Sequence, residues 1–348
     1  MSIKVGIIGI SGYTGLELVR LLTRHNVFEL EYVTSRKETG KRLQELYPEF
    51  SNTRYGELVI GDVDIEILER KCQVIFLAVP HGVAMELVPE LLNRELKVVD
   101  LSADFRLKSA EEYESWYGIK HRYEELLQEA VYGLIEVYRE KIRDTRLVAN
   151  PGCYPTSIIL GLYPLLREGL LVDDVVIVDS KSGTTGAGRS PKVATLFCEV
   201  YDDFRPYNLK RHRHTPEIKQ ELSFIANKDI KVSFNPHLIP INRGIISTIY
   251  VKSKFMDEKD IYEVYKKYYD KEKWIRILPS DVLPRARGVR GSMYCDISIV
   301  RDDNINMLKV VTAIDNLCRG ASGQAIANAN LMMGLNEATG LEDIGFIP

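Results

Sequence analysis

The sequence predicts an α/β chain in two parts: a first domain on a parallel sheet covered on both faces, then an α+β domain with a mixed or antiparallel sheet. Three observations carry this. Residues 3–8 (IKVGII) run apolar into glycines at 9, 12 and 15 and then into a helical repeat from Leu16 to Leu22. Short apolar runs alternate with helical patterns up to about residue 150, as βαβ units do. Beyond that point strand patterns cluster with fewer helices between them, the mark of an α+β layer.

The elements follow in order. After the first helix, a strand is expected from Leu30 to Thr34. QVIFLAV at 73–79 reads as a buried strand, and Pro80 and Gly82 turn the chain into a helix from Val83 to Leu92. Strands follow at 97–101 and from Arg146 to Ala149. In the second part a helix is expected around Thr156 to Arg167, beginning near Pro155. Strands are expected at 174–180, 230–235, 245–252, 292–300 and 306–313, with a helical segment at 258–269. A last helix over Asn316 to Leu335 is expected to return to the first domain. The expected boundaries are therefore 1–150 completed by 316–348, and 151–315.

Bulk properties narrow the function. A length of 348 residues is about twice a typical domain, consistent with two cores. A formal net charge of −3, with both signs interspersed, offers no general attraction to nucleic acid or to a membrane surface. No run approaches the roughly 18 apolar residues of a membrane span. The start MSIKVGIIGISGYTG lacks the pattern of a signal peptide, so a cytoplasmic protein is expected. Five widely spaced cysteines, with no CxxC pair, suit reduced thiols better than disulfides or a zinc site.

Gly9, Gly12 and Gly15 fall where a dinucleotide fold places its phosphate loop. Glycine lets the backbone approach a pyrophosphate, and the helix N-terminus offers unpaired N–H groups. Ser11, Tyr13 and Thr14 belong to the same candidate cofactor loop, and Pro80 marks a second turn behind a strand. The spacing is GxxGxxG, and a glycine turn with no ligand would share it. About 20 residues on, Ser35 and Arg36 stand where NAD enzymes place an acid. A hydroxyl and a guanidinium suit a 2′-phosphate, so NADPH is expected over NADH; a solvated surface arginine is the alternative.

The chemistry is expected at Asn150 to Thr156 (NPGCYPT). Cys153 would lie at a helix N-terminus, where the dipole favours a thiolate. Cys72, Cys198, Cys295 and Cys318 read as inert buried thiols. His212 and His214, followed by Thr215-Pro216-Glu217, supply imidazoles that titrate near neutral pH. If that His-x-His run is extended, both rings share a side. Acid/base work or substrate contact ranks ahead of a metal site, because no third or fourth ligand lies nearby. The loop Ser182 to Arg189, including Gly183, has the glycine and hydroxyl content of a ligand-facing turn. Arg106 and Arg243 are candidate anion holders, or else surface charges.

Together GISGYTG (9–15), NPGCYPT (150–156), SGTTGAGR (182–189), HRHTPE (212–217) and PHLIPINRG (236–244) resemble, in order, the N-acetyl-γ-glutamyl-phosphate reductases. The resemblance spans essentially the whole chain, including GASGQAIANANLM at 320–332. It implies a Rossmann-type NADP-binding domain joined to an α+β catalytic and oligomerisation domain, related to aspartate-semialdehyde dehydrogenase, and a homodimer or homotetramer. It also implies reduction of an acyl phosphate to a semialdehyde by NADPH, with Cys153 as nucleophile and His212 as catalytic histidine. Arg106, Ser182, His214, Glu217 and Arg243 are then expected to face the substrate, and Gly183 the cofactor. Ser157 departs from the alanine or glycine usual there, which should alter packing more than chemistry. A sister reductase for an aminoadipate-type or aspartyl phosphate, or a non-catalytic NADPH-binding redox sensor, are the competing readings.

Overall fold

β1 (Ile3–Ile8) has the apolar run of a strand covered on both faces, and it lies inside a six-stranded sheet. With β2 (Phe28–Thr34), β3 (Val74–Leu77), β4 (Lys97–Asp100), β5 (Val131–Tyr132) and β6 (Leu147–Ala149) the order is β2-β1-β3-β4-β6-β5. Every pairing in it is parallel. All four residues of β3 are buried, as a strand with helices on both faces requires. The sheet's strands β2 and β3 flank β1 on opposite sides, which makes the carboxyl end of β1 a topological switch point. Helices α1 (Tyr13–Leu22) and α2 (Ala84–Asn93) follow β1 and β3. Ile8, Leu77, Val88, Leu91, Val98 and Leu147 belong to one buried cluster of this part.

The computed structural model describes residues 2–254 and 257–346. They divide into two units, residues 2–151 with 321–342 and residues 152–320 with 343–346.

The second unit is built on α3 (Cys153–Arg167) and seven strands: β7 (Val175–Ser182), β8 (Arg205–Pro206), β9 (Lys231–Leu238), β10 (Ile245–Val251), β11 (Ile275–Ile277), β12 (Cys295–Asp302) and β13 (Met307–Ile314). Their order is β11-β12-β13-β10-β7-β9-β8. β7 with β9 and β11 with β12 run parallel and the other pairs antiparallel, so the sheet is mixed. β10 alternates buried and half-buried residues, burying Ile245, Ser247, Ile249 and Val251 on one face.

Helix α3 packs on that sheet because Gly161 has no side chain: a Cβ there would stand 2.9 Å from both Ile249 and Thr312. Pro164 lies inside the helix and has no N–H to give Leu160. The Leu160 carbonyl is satisfied instead by the hydroxyl of Tyr269, at 2.6 Å, the last residue of a later helix. Here α4 is Thr215–Ala226 and α5 is Glu258–Tyr269. Leaving that buried carbonyl unpaired would cost about 1–3 kcal/mol.

Several expectations shift. Helix α3 begins at Cys153, two residues before the expected Pro155, because Gly152 already serves as its extended N-cap. Helix α4 was not anticipated, although Pro216 in its first turn is a recognisable start signal. The expected helix from Asn316 to Leu335 is a π-helical turn, Cys318–Ser322, followed by α6 (Gly323–Met332). Ser157 sits in a buried hydroxyl chain, with Ser247 at 2.8 Å and Ser247 in turn 2.7 Å from Ser180. No helix among the described residues is long and apolar enough to cross a membrane.

Candidate active site

In the first unit, the three glycines of the turn after β1 have different reasons to be glycine. Gly9 has a φ of +99°, and a Cβ on it would meet the Ala78 carbonyl at 2.4 Å. A Cβ on Gly15 would meet the Gly9 carbonyl at 2.5 Å. Both are packing requirements. Gly12 is different, since a Cβ there would meet only the Thr14 hydroxyl, at 3.9 Å. It is also the N-cap of α1, with no side-chain cap and no acidic residue in the first turn. The start of α1 therefore presents uncapped backbone N–H groups beside open space, which fits a pyrophosphate.

The other residues expected to take the cofactor lie in this turn and after β2 and β3. The Gly9 and Ile10 amides donate to the Thr34 carbonyl at 3.2 and 3.0 Å, which draws the end of β2 against the loop. Ser35 there is buried and Arg36 is exposed, with no hydrogen bond or ion pair among the described residues. Ser11 is exposed, and Tyr13 and Thr14 are half-buried. Ser322 donates to the Thr14 carbonyl at 2.8 Å, fastening the segment before α6 to the first turn of α1. Pro80 is exposed behind β3 and its carbonyl accepts the Val83 amide at 3.2 Å. Gly82, next in that turn, donates to Asp104 at 2.8 and 3.0 Å.

Arg106 is a buried residue and not the surface charge that one reading allowed. Its Nε donates to the Asn150 carbonyl at 2.8 Å and its Nη2 to the Leu101 carbonyl at 2.9 Å. Asp100 and Asp104 beside it are fully buried. Burial first, and then Asp104, push the Asp100 carboxyl up, while Ser102 and Arg106 oppose them.

In the second unit, Cys153 is the first residue of α3 and is half-buried. Gly320, in the π-helical turn, abuts it: a Cβ on Gly320 would lie 2.6 Å from the Cys153 Cβ. The other thiols divide. Cys72, Cys295 and Cys318 are buried, and burial pushes the Cys72 thiol up to about 12. Cys198 is exposed, contrary to the expectation of a buried thiol, because it lies in a surface segment with Phe197 and Tyr201 also in solvent.

The histidines are not on an extended strand. His212 and His214 occupy a turn that leads into α4, with His214 as N-cap in a helical conformation. The turn still brings the rings together, with centroids 5.1 Å apart. The His214 amide donates to His212 Nδ1 at 3.1 Å, so neutral His212 carries its proton on Nε2. Burial, helped by Arg213, brings His212 down to about 4. Tyr154, next to the cysteine, meets His212 edge-on at 5.6 Å and His214 at 5.9 Å. Its hydroxyl lies 3.0 Å from that of Tyr207. Neither tyrosine was singled out in the sequence, and a tyrosine beside a cysteine carries no spacing signal.

The remaining residues expected to face substrate or cofactor are bonded within the fold. Ser182 is 2% exposed and donates to the Gly183 carbonyl at 3.0 Å. The Gly183 amide donates to the Gly244 carbonyl at 2.9 Å. Gly183 is glycine because a Cβ would meet the Ile241 and Asn242 carbonyls at 2.8 Å. Glu217 is 1% exposed and accepts the Gly152 amide at 2.8 Å. Arg243 makes a two-pronged pair with buried Asp315, at 2.9 and 2.8 Å, and retains a little exposure. Asp315 also accepts the amides of Gly291, Leu317 and Cys318 at 2.7, 2.8 and 2.7 Å, which shapes the turn that carries Gly320. Among the described residues no cluster of three or more His, Cys, Asp or Glu side chains is arranged to hold a metal.

Comparison with known proteins follows the same division. Residues 4–145 match the family described as semialdehyde dehydrogenase, NAD binding domain, and residues 153–316 match semialdehyde dehydrogenase, dimerisation domain. The N-acetyl-gamma-glutamyl-phosphate reductase of Desulfotalea psychrophila is 50% identical, over 99% of this chain and 100% of that protein. Those of Desulforudis audaxviator and Campylobacter jejuni are each 47% identical, over 99% and 98% of this chain and 100% and 98% of theirs. Among solved structures, aspartate semialdehyde dehydrogenase II of Vibrio cholerae, complexed with ASA, matches with a TM-score of 0.73 at 14% identity. The Candida albicans enzyme with NADP matches with a TM-score of 0.71 at 18% identity. Each alignment covers 96% of this chain and 99% of the other, and at such identity each shows the fold alone.

Proposed function

The chain belongs to the N-acetyl-γ-glutamyl-phosphate reductase family, and from that premise we propose that it works through a thioester on Cys153, with His212 as proton partner and NADPH as reductant. The reaction converts N-acetyl-γ-glutamyl phosphate to N-acetylglutamate 5-semialdehyde with release of phosphate, a step of arginine biosynthesis. One observation supports the reading above others: Cys153 opens a buried helix while Tyr154, its neighbour, packs against both histidines.

The steps follow from the residues. At the first position of α3, Cys153 sits where the helix dipole and unpaired amides favour a thiolate. The thiolate attacks the acyl carbon and the C–O bond to phosphate breaks, leaving a thioester and splitting one hard step into two. NADPH, held at the start of α1, would supply the hydride that reduces the thioester carbon. The resulting thiohemiacetal breaks its C–S bond, releasing the aldehyde and restoring the thiolate. His212, with its proton on Nε2, donates to the oxygen that gains charge in both tetrahedral adducts. The proton that phosphate takes up on leaving comes from solvent, because neutral His212 keeps its own on Nε2. A serine in place of Cys153 would give an ester, a poorer hydride acceptor and a poorer leaving group.

Supporting roles are assigned on chemistry. Gly12 and the start of α1, with Ser11, Tyr13 and Thr14, would hold the pyrophosphate. Arg36 and Ser35 would take the 2′-phosphate, which favours NADPH, and Pro80 would border the cofactor. Arg106, Arg243 and His214 would each serve an anionic group of the substrate. The matched dimerisation domain supports a homodimer or homotetramer, and the biosynthetic role supports a cytoplasmic location.

The test is phosphate-dependent reduction of NADP by N-acetylglutamate semialdehyde, with wild type beside Cys153→Ser. We expect the variant to bind NADPH normally and lose nearly all turnover. Near-normal turnover would sink the covalent scheme, and activity restricted to another semialdehyde would overturn the substrate.

A further inference from the structure

Glu217 occupies a place in the second unit that a substrate contact would not. It is the third residue of α4, 1% exposed, and its Oε1 accepts the amide of Gly152 at 2.8 Å. Gly152 is the residue immediately before the nucleophile and the N-cap of α3. Its carbonyl is taken by the amide and hydroxyl of Thr156, at 3.0 and 2.9 Å, so both backbone groups of this residue are held.

The other end of the connection is equally constrained. The first turn of α4 grows directly out of the histidine turn: the Thr215 amide donates to the His212 carbonyl at 2.9 Å, and the Ile218 amide to the His214 carbonyl at 2.9 Å. The His214 amide holds the His212 ring itself, at Nδ1. Pro216 supplies no N–H to compete for the carboxylate. A carboxylate at a helix start is favoured by the dipole, and here that start carries the histidine. Glu217 thus ties the turn before Cys153 to the first turn of α4, whose backbone bonds in turn hold the ring of His212.

We infer that Glu217 is a positioning residue: it locks the cysteine turn to the histidine turn and does not touch substrate. The inference rests on the reading of Cys153 and His212 as the reacting pair. A contact residue would act on substrate affinity, whereas Glu217 acts on the geometry in which the two groups meet.

Three variants test it: Glu217→Ala, Glu217→Gln and His212→Ala, with the Ala pair combined. Gln keeps an oxygen able to accept the Gly152 amide and Ala does not. A misplacement of about 1 Å lowers turnover by about a hundredfold, so Glu217→Ala should lose about that factor in kcat with KM unchanged. Glu217→Gln should keep at least roughly a tenth of wild-type kcat, since a hydrogen bond to a neutral acceptor remains. In the His212→Ala background, Glu217→Ala should cost only about threefold more, because the group it positions is already gone. A KM raised about tenfold with kcat retained would make Glu217 a substrate contact and overturn the inference. So would an equal loss in the His212→Ala background, or a Gln variant as poor as Ala.

Hydrogen exchange over residues 150–157 supplies an arm that needs no turnover: exchange should accelerate in Glu217→Ala and stay slow in Glu217→Gln. If wild type turns over no semialdehyde, the functional reading fails, and this exchange arm still decides whether Glu217 holds the turn. Should Glu217→Ala not fold, Glu217→Asp, which keeps the charge and falls short of Gly152, takes its place in every arm.

Discussion

Gly320→Ala should cripple the enzyme without removing any group that takes part in chemistry. The new methyl would lie 2.6 Å from the Cys153 Cβ and 3.0 Å from its Cα. Carbon atoms prefer about 3.5–4.0 Å, so one side must retreat by roughly 1 Å. Neither side yields easily. The Gly320 amide is bonded to the Asp315 carbonyl at 2.9 Å, and the Asp315 carboxylate pins Leu317, Cys318 and Gly291 around it. On the other side, α3 is buried along most of its length. Overpacking of this kind costs about 1–3 kcal/mol of stability. A reacting atom displaced by about 1 Å costs about a hundredfold in kcat. The assay is steady-state turnover with thermal unfolding and NADPH affinity measured alongside. Gly288→Ala is the control, because its Cβ would meet only an Asp296 oxygen at 3.6 Å. A Gly320→Ala enzyme within about threefold of wild-type kcat would refute the claim that this glycine sets the position of the nucleophile.

Other consequences can be measured on the same preparations. Arg36→Ala should raise the KM for NADPH by about ten- to a hundredfold, the worth of a charge-assisted phosphate contact, and leave the KM for NADH in place. An equal rise for both cofactors would remove Arg36 from the 2′-phosphate. Because burial, with Arg213 adding to it, holds His212 at about 4, kcat/KM should stay level from neutral pH down to about 5 and fall only below that; a midpoint near the ordinary 6.5 would contradict it. The same shift bears on stability. Between the unfolded value of 6.5 and the folded value of about 4, the unfolded chain binds the extra proton. Stability therefore falls as pH drops through this window and is whole above it, by about 3 kcal/mol at most. Urea unfolding of His212→Gln should lose that slope, and parallel curves for variant and wild type would disprove the assignment.

The longer strands of both sheets were legible in the sequence because burial on one or two faces writes itself as a continuous or alternating apolar run, while the two- and three-residue strands β5, β8 and β11 were not. IKVGII and QVIFLAV are of the first kind, IISTIYV of the second. The glycine turn and Cys153 at a helix start were legible for a similar reason: each follows from a few adjacent residues. The shape of the histidine turn was not legible, since the bonds from His214 to His212 and from Thr215 onward bend it.

What the sequence by itself determined is thus local: strand and helix periodicity, the glycine turn, the cysteine at a helix start and the pair of imidazoles. The burial of Ser182 and Glu217 had no such local signal. Gly320 against Cys153, Glu217 on Gly152 and Asp315 under Arg243 join residues 167, 65 and 72 positions apart. Such contacts depend on how two helices and three turns converge within one unit, and no periodicity or spacing along the chain encodes that distance in space.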